Sequence, residues 1–204
     1  GVLGVIVGVD ASRNRSGGAV AHIKGLLSVA DPRDFGIRTV HLWAHDSLLA
    51  SVADAPWLEK HQVSASRSSI LIQLAWQRFV LPRIARQVGV QVMFNTDAGS
   101  VCPFQPSVTL SQDMLSFEAC EIARYPLLTR ARLRLEVLRV VQLMRMRWST
   151  VAVFLSWYAS RVIGGLVSLR ETSVIPHGID RRFKESGALR RDFPSEGPIR
   201  CLYV

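Results

Sequence analysis

A loop that could bind an anion follows the first apolar segment of the chain. Val2–Val9 is a continuous apolar run that ends at Asp10, and the next helix is predicted to begin at Ser16, Gly17 and Gly18. Glycines let a ligand approach the backbone closely, and the free N–H groups at a helix start suit a phosphate. The pair lacks the pattern of a dinucleotide-binding or Walker loop, so a glycine turn without a ligand is the alternative interpretation.

His41 and His45, with Asp46 adjacent, are the combination of residues closest to a metal site. The segment Arg38–Ala44 has the composition of a strand, and four residues of a strand span about 13 Å. Two ligands of one zinc ion cannot lie that far apart. No metal site is therefore predicted.

Strands and helices alternate along the chain up to residue 175. The predicted strands are Val2–Val9, Arg38–Ala44, Val90–Asn95, Ser107–Leu110, Val151–Leu155 and Thr172–Ile175. The predicted helices are Ser16–Leu27, Ser68–Val88 with a kink at Pro82, Thr129–Trp148 and Ser156–Val167. This alternation requires crossover connections, so the sequence predicts an α/β fold with a Rossmann-like, doubly wound parallel sheet and its first strand at the centre.

The composition changes after residue 180. Residues 181–197 are polar, charged and punctuated by glycine and proline, which predicts a linker. Residues 198–204 then read as the first strand of another domain. The expected organisation is a Rossmann-like domain over residues 1–180, a linker, and the beginning of a truncated second domain.

The chain is strongly basic, with 25 Lys and Arg against 16 Asp and Glu and a formal net charge of +9. Only three of the cations are lysines. Such a balance suits phosphates, an anionic membrane surface or nucleic acid, and does not choose among them. An arginine-rich composition that only reflects a GC-rich genome is the alternative.

The helix Thr129–Trp148 belongs to a basic stretch in which Glu136 is the single acid between residues 124 and 147. Its apolar residues at helical spacing are predicted to pack on the sheet. They are Leu133, Val137, Val140, Val141, Met144 and Trp148. Arg132, Arg139 and Arg147 share another side of the helix, where they would contact an acceptor or a membrane, or be solvated charge.

Cysteine usage and hydropathy bear on the compartment. The three cysteines have no CxxC spacing, which favours a reducing cytoplasm over a disulfide framework. The longest apolar tract, Val151–Val167, is short and is interrupted by Arg161, so no membrane span is predicted. The expected location is cytoplasmic, with peripheral attachment to the inner face of the membrane as an extension of that expectation.

Several segments in this order and spacing resemble the N-terminal domain of the group 1 (GT4-type) retaining glycosyltransferases of the GT-B fold. They are Ser16-Gly17-Gly18, Pro106–Asp113 followed by Phe117-Glu118, Val153–Ser156, and Ser173–Asp180 with Phe183. The resemblance covers essentially the whole chain. Pro176–Asp180 is its most specific piece and the glycine pair its least.

The resemblance implies one half of a two-domain bacterial enzyme of polysaccharide biosynthesis. Such an enzyme takes a sugar from a nucleotide-sugar donor and transfers it to a cell-surface glycan or a lipid-linked acceptor, with no metal or other cofactor. The residues that would contact the donor diphosphate are Ser16, Gly17, Gly18, His177 and Gly178. The residues that would line the cleft near the transferred sugar, in the catalytic position, are Gln112 and Asp113.

Two departures from the family pattern limit what this chain is expected to do. Many relatives have histidine where Gln112 stands, and glutamine cannot take a proton, so a general base is not expected there. The family's two glutamates eight residues apart are absent, which truncation of the second domain would explain. The chain alone is therefore expected to be inactive, and its own C-terminal domain is an expected partner.

A different class of function remains as an alternative. A non-catalytic α/β module could use its basic surface to bind nucleic acid or another anionic partner. The sequence has no RNA- or DNA-binding signature and no arginines interleaved with aromatic residues in a stacking platform. No nucleic acid partner is therefore expected.

Overall fold

Seven strands form one parallel sheet at the centre of the fold. The computed structural model describes residues 4–15, 17–29 and 31–178, so the predicted linker and second-domain strand lie outside the described residues. The strands are β1 (Val5–Asp10), β2 (Ile37–Ala44), β3 (Leu58–Gln62), β4 (Val92–Asn95), β5 (Ser107–Ser111), β6 (Val151–Phe154) and β7 (Thr172–Val174). They pair in the order β3-β2-β1-β4-β5-β6-β7, and every pair is parallel. The predicted Rossmann-like α/β fold is confirmed.

Helical segments connect the strands. The α-helices are α1 (Gly17–Val29), α2 (Asp46–Ser51), α3 (Ile70–Ala75), α4 (Leu81–Gln87), α5 (Ala119–Ala123), α6 (Arg130–Trp148) and α7 (Trp157–Gly164). A π-helical turn, Trp76–Val80, joins α3 to α4. Short 3-10 helices occupy Pro32–Phe35, Ser64–Arg67 and Leu115–Phe117.

Both faces of the sheet are covered. Leu42 packs in a core cluster with Ile23 of α1 and Leu48 of α2, whereas the next residue, Trp43, packs in a second cluster with Leu81 of α4. Adjacent residues of a strand point to opposite faces. The alternation of clusters therefore shows that helices lie on both sides of the sheet.

β1 is an interior strand, as predicted, and is third in the order of seven. It pairs with β2 on one side and β4 on the other, and the buried residues are at its carboxyl end. The sequence did not predict strand β3, which pairs with β2, because Leu58 is the only apolar residue in Leu-Glu-Lys-His-Gln. β3 is an edge strand, and an edge strand needs no continuous apolar run.

The helix predicted over Ser68–Val88 is interrupted by the π-helical turn. That turn ends immediately before α4, in which Pro82 is the second residue. Proline has no N–H to donate to the carbonyl four residues earlier. The irregularity expected at Pro82 is therefore a π turn that precedes it.

The prediction that the apolar stripe of α6 packs on the sheet is wrong. Leu133, Val137 and Val140 are each more than half exposed, and the buried residues of α6 are Gln142, Arg145 and Met146. The helix ends at Trp148 as predicted and begins at Arg130, one residue after the predicted start, with Thr129 capping it by accepting from the Arg132 N–H. The helix is rotated so that the apolar stripe faces outward.

The connection from β4 to β5 contains no helix. Residues 96–106 run back along the sheet between α4 and α6, and this segment buries Cys102 and Phe104 against Leu81 and Ala85 of α4. Residues of the segment thus take the place of a covering helix on this face. Because this segment is not helical, its backbone N–H and C=O groups need hydrogen-bond partners from side chains.

The apolar tract Val151–Val167 divides into strand β6 and helix α7. Among the helices of the described residues, none combines the length and the apolar composition that crossing a bilayer requires.

Candidate functional site

The order of the strands reverses between β1 and β4. Strands β1 to β3 extend to one side of this point and β4 to β7 to the other. In open α/β sheets, ligands bind beyond the carboxyl ends of the strands at such a reversal. The loops after Asp10 and after Asn95 are therefore the candidate site.

Asp10 organises this edge of the sheet. Its carboxylate is buried and accepts from the Ser12 backbone N–H at 3.2 Å, from Ser12 Oγ at 2.6 Å, from Gln77 Nε2 at 2.8 Å and from Ser100 Oγ at 2.8 Å. These donors come from the loop after β1, the π-helical turn and the segment after β4. The carboxylate therefore fixes three separate elements with respect to each other.

A second set of bonds joins the same loops. Thr96 Oγ1 donates to the Asp10 carbonyl at 2.8 Å, and Asn14 Nδ2 donates to Thr96 Oγ1 at 3.0 Å. Arg13 Nη1 donates to the Gly99 carbonyl at 2.8 Å. The Arg13 guanidinium is therefore part of the loop's own structure as well as a source of charge.

Gly17 and Gly18 are the first residues of α1 and are exposed. Gly17 has a φ of +68°, which favours glycine, and a Cβ at either position would meet no atom within 4 Å. The first turn of α1 contains no acidic residue. The helix start thus leaves space and positive potential beside the candidate site. Ser16 lies outside the described residues.

The Gln112-Asp113 pair follows β5. Gln112 Nε2 donates to the Thr96 carbonyl at 3.1 Å, which ties this loop to the end of β4. Asp113 is exposed, and its Oδ1 accepts from the Leu115 N–H at 2.8 Å. Gln112 therefore lies beside the network around Asp10, and Asp113 shapes the turn that follows.

His177 contacts the first helix. Its Nδ1 lies 3.1 Å from Nδ1 of His22, and the two rings are edge to face with centroids 4.7 Å apart. Burial, and then the nearby His177, lower the pKa of His22. Although β7 is four strands away from β1 in the sheet, the segment after β7 thus reaches α1. Gly178, the next residue, has open space at its Cβ position.

The three predicted donor and cleft sets are thus linked to elements around β1. His177 contacts α1, which begins at Gly17. Gln112 is bonded to Thr96, which in turn donates to the Asp10 carbonyl. The sequence reasoning did not single out Asp10 or His22 as site residues. Asp10 was visible as the polar end of an apolar strand, whereas nothing local marked His22.

The three arginines predicted to contact an acceptor or membrane are on α6. Arg147 is exposed, while Arg132 and Arg139 are partly buried. Arg132 Nη1 donates to the Tyr125 carbonyl at 3.3 Å. The outward apolar stripe of α6 is instead nearest to Arg130 and Arg134, which are exposed.

His41 and His45 have separate partners. His41 Nδ1 lies 2.8 Å from His61 Nε2 of β3, while His45 Nε2 lies 2.8 Å from the Asn14 carbonyl. Within residues 4–15, 17–29 and 31–178, no group of three or more His, Cys, Asp or Glu is arranged to hold a metal ion.

The His41–His61 pair predicts a loss of stability in mild acid. Burial is the main cause that lowers the pKa of both rings, and the neighbouring His61 lowers that of His41 further. The folded state therefore binds protons less readily than the unfolded state, where the histidine pKa is about 6.5. The contribution of the two histidines to the free energy of unfolding is fully present above about pH 6.5, the unfolded-state pKa, and is lost as the pH falls below it.

The measurement is the midpoint of thermal unfolding between pH 7.5 and 5. We expect the midpoint to fall with pH, and to fall less in the double variant His41→Gln, His61→Gln. A double variant that loses stability as steeply as the original protein would contradict this assignment. The range stops at pH 5 so that carboxylates contribute little.

No protein-family model matches the chain, and no curated protein matches it significantly. The fold, the geometry at the strand ends and the motifs of the sequence are therefore the basis for a function.

Proposed function

We propose that this chain is the acceptor-side half of a retaining glycosyltransferase of the GT-B, group 1 class. The donor is a nucleotide-sugar and the acceptor a glycan or a lipid-linked sugar. The site is the edge of the sheet formed by the start of α1, the Gln112-Asp113 loop and His177-Gly178. A second, nucleotide-binding domain completes it.

The observation that carries the proposal is the His22–His177 contact. The Pro176–Asp180 segment is the most specific part of the family resemblance, and its His177 lies 3.1 Å from a residue of the helix that begins at the glycine pair. Two motifs about 160 residues apart in the sequence are thus joined through one helix. If the glycine pair only formed a turn and bound no ligand, nothing would require His177 to contact the helix that begins there.

The electrostatics of the helix start suit the chemistry. Transfer forms a bond between the acceptor oxygen and the sugar carbon as the bond from that carbon to the diphosphate oxygen breaks. Negative charge develops on the leaving diphosphate, which can take up the proton of the acceptor hydroxyl. Exposed N–H groups at Gly17 and Gly18, with the dipole of α1 behind them, would stabilise that charge. No metal is needed for this role.

Gln112 would orient a substrate hydroxyl. Its Nε2 is engaged by the Thr96 carbonyl, which fixes the amide, and its Oε1 can accept a hydrogen bond from a hydroxyl group. An amide cannot take the proton, so in this proposal Gln112 positions the substrate without acting as a base.

A membrane contact extends the proposal. Leu133 and Val137 on the exposed stripe of α6, with Arg130 and Arg134 beside them, combine apolar and basic surface. Basic residues near an anionic bilayer contribute about 1 kcal/mol each. Such a surface would hold the domain close to a lipid-linked acceptor.

The test is transfer of a radiolabelled sugar from UDP-, GDP- and dTDP-linked donors to a bacterial membrane lipid extract. The assay uses a polypeptide in which the proposed second domain follows this chain, and the 204-residue chain is the control. We expect transfer by the first and none by the second. A two-domain polypeptide that neither transfers a sugar nor binds any of the donors in calorimetry would refute the proposal.

A further inference from the structure

An open groove lies above the segment that connects β4 to β5. Because residues 96–106 replace a helix there, α3 with its π-helical turn stands on one side and α6 on the other. The space between them has a volume of about 480 Å³, within the range of small-molecule sites. The fold thus leaves a cleft where a regular crossover helix would fill the face.

The lining of the groove is mainly apolar. Its aromatic walls are Phe79 and Trp148, which are 57% and 53% exposed. Leu74, Val101 and Met144 line it between them. A hydrocarbon ligand would remove this concave apolar surface from water, which is energetically favourable.

The groove also carries unbalanced positive charge. Arg145 lines it while being only 4% exposed, and it donates to the Cys102 carbonyl and, at 2.7 Å, to Ser107 Oγ. No hydrogen-bond partner reaches its Nε, and no described carboxylate forms an ion pair with it. Burial is the main cause that lowers the pKa of this guanidinium, while the charge of the nearby Asp10 acts in the opposite direction.

Arg78 adds a second cation at the groove, and no acidic residue lines it in the part of the chain that the structure describes. The Arg78 guanidinium lies 5.6 Å from the centroid of the Phe79 ring. A buried cation that forms no ion pair is unfavourable, so an anion near this groove would stabilise Arg145. The lining of the groove therefore favours a ligand that has both an apolar part and an anionic group.

We propose that this groove binds the hydrocarbon chain of an anionic amphiphile, with its headgroup close to Arg78 and Arg145. A second copy of the chain fits less well, because it would bring another net charge of +9 to a positive groove. This inference holds whether or not the chain transfers a sugar.

The experiment measures quenching of tryptophan fluorescence in the 204-residue chain by a fatty acid brominated in mid-chain, below its micellar concentration. Trp148 lines the groove, so we expect saturable quenching that is mostly lost in Trp148→Phe. Quenching that appears only above the micellar concentration, or that is unchanged in Trp148→Phe, would overturn the proposal.

A groove-filling variant separates the groove from the rest of the apolar surface. Ala75 is an exposed residue that lines the groove, so Ala75→Phe should weaken binding by about tenfold or more through a steric clash. Val137→Phe is the matched control, because Val137 is exposed on α6 but does not line the groove. Equal effects of the two variants on binding would show that the fatty acid adsorbs to apolar surface in general, which would contradict the proposal.

The charge requirement is tested with two further ligands. A brominated amphiphile with a trimethylammonium headgroup should bind about tenfold or more weakly than the fatty acid, because like charges repel across a contact. Inorganic phosphate should not displace the fatty acid at equal concentration. Equal binding of the cationic amphiphile would contradict the proposal, as would a dimer in sedimentation that Ala75→Phe dissociates.

Discussion

Replacing Asp10 with alanine is expected to lower the free energy of unfolding by about 3–5 kcal/mol, since each buried donor left without an acceptor costs about 1–3 kcal/mol. The carboxylate accepts from the Ser12 N–H and from the side chains of Ser12, Gln77 and Ser100. A whole domain is stable by only about 5–15 kcal/mol. Urea denaturation followed by circular dichroism measures the change.

Asp34→Ala is the matched control for this variant. Asp34 is exposed in the Pro32–Phe35 turn, and a surface change of this kind alters stability by about 0.5 kcal/mol or less. Asp10→Asn keeps the shape of the side chain but presents an amide N–H₂ to groups that are themselves donors. Its loss of stability should therefore lie between those of Asp10→Ala and Asp34→Ala. An Asp10→Ala protein as stable as the Asp34→Ala protein would show that the carboxylate does not anchor the three elements.

On the proposed function, Gly18→Asp should reduce sugar transfer by a polypeptide that contains this chain and the proposed second domain below detection. A Cβ at Gly18 meets no atom within 4 Å, so the side chain fits the folded protein. A carboxylate in the first turn of α1 would even stabilise the helix through its dipole. The variant would therefore fold normally while a negative charge occupies the space proposed for the diphosphate.

Two controls make this prediction specific. Gly18→Ala adds a methyl group without charge and should retain most activity. Gly25→Asp places the same charge further along α1, also in open space, and should be close to normal. Near-normal turnover by Gly18→Asp, or equal losses in Gly25→Asp, would refute the diphosphate assignment. Circular dichroism would establish that all three variants fold.

The strand pattern was sufficient to predict six of the seven strands and their parallel arrangement. A continuous apolar run such as Val5–Val9 indicates a strand covered on both faces, and its alternation with helical segments indicates parallel crossovers. β3 escaped prediction because an edge strand is exposed on one side and can be as polar as Leu58–Gln62. The periodicity of a sequence reports burial, so it is least informative where burial is partial.

The orientation of α6 could not be predicted from its pattern. The helix is apolar on two sides, with Leu135 and Leu138 partly buried on one and Leu133 and Val137 exposed on the other. The choice between them depends on what the helix packs against. The segment after β4 presents polar groups, and Arg145 is turned inward to donate to the Cys102 carbonyl and Ser107.

The polar residues of the site were similarly hidden from sequence reasoning. Gln77 lies on an apolar helical segment and nothing near it in the sequence signals a bond to Asp10, which is 67 residues away. The partner of His22 in α1 is His177, which follows β7 and is far from His22 in the sequence. Such contacts depend on the register and position of distant strands, which single-sequence patterns do not encode.

The position of β1 between β2 and β4 has a consequence for synthesis on the ribosome. Its second neighbour is complete only at Asn95, 85 residues after Asp10. At about 5–20 residues per second, roughly 4–17 s pass between the two. During that interval the apolar strand Val5–Asp10 has at most one partner, β2, and its other edge can pair with another chain. Nascent chains of this protein should therefore be most prone to aggregate, and most in need of a chaperone, before the β4 segment has left the exit tunnel.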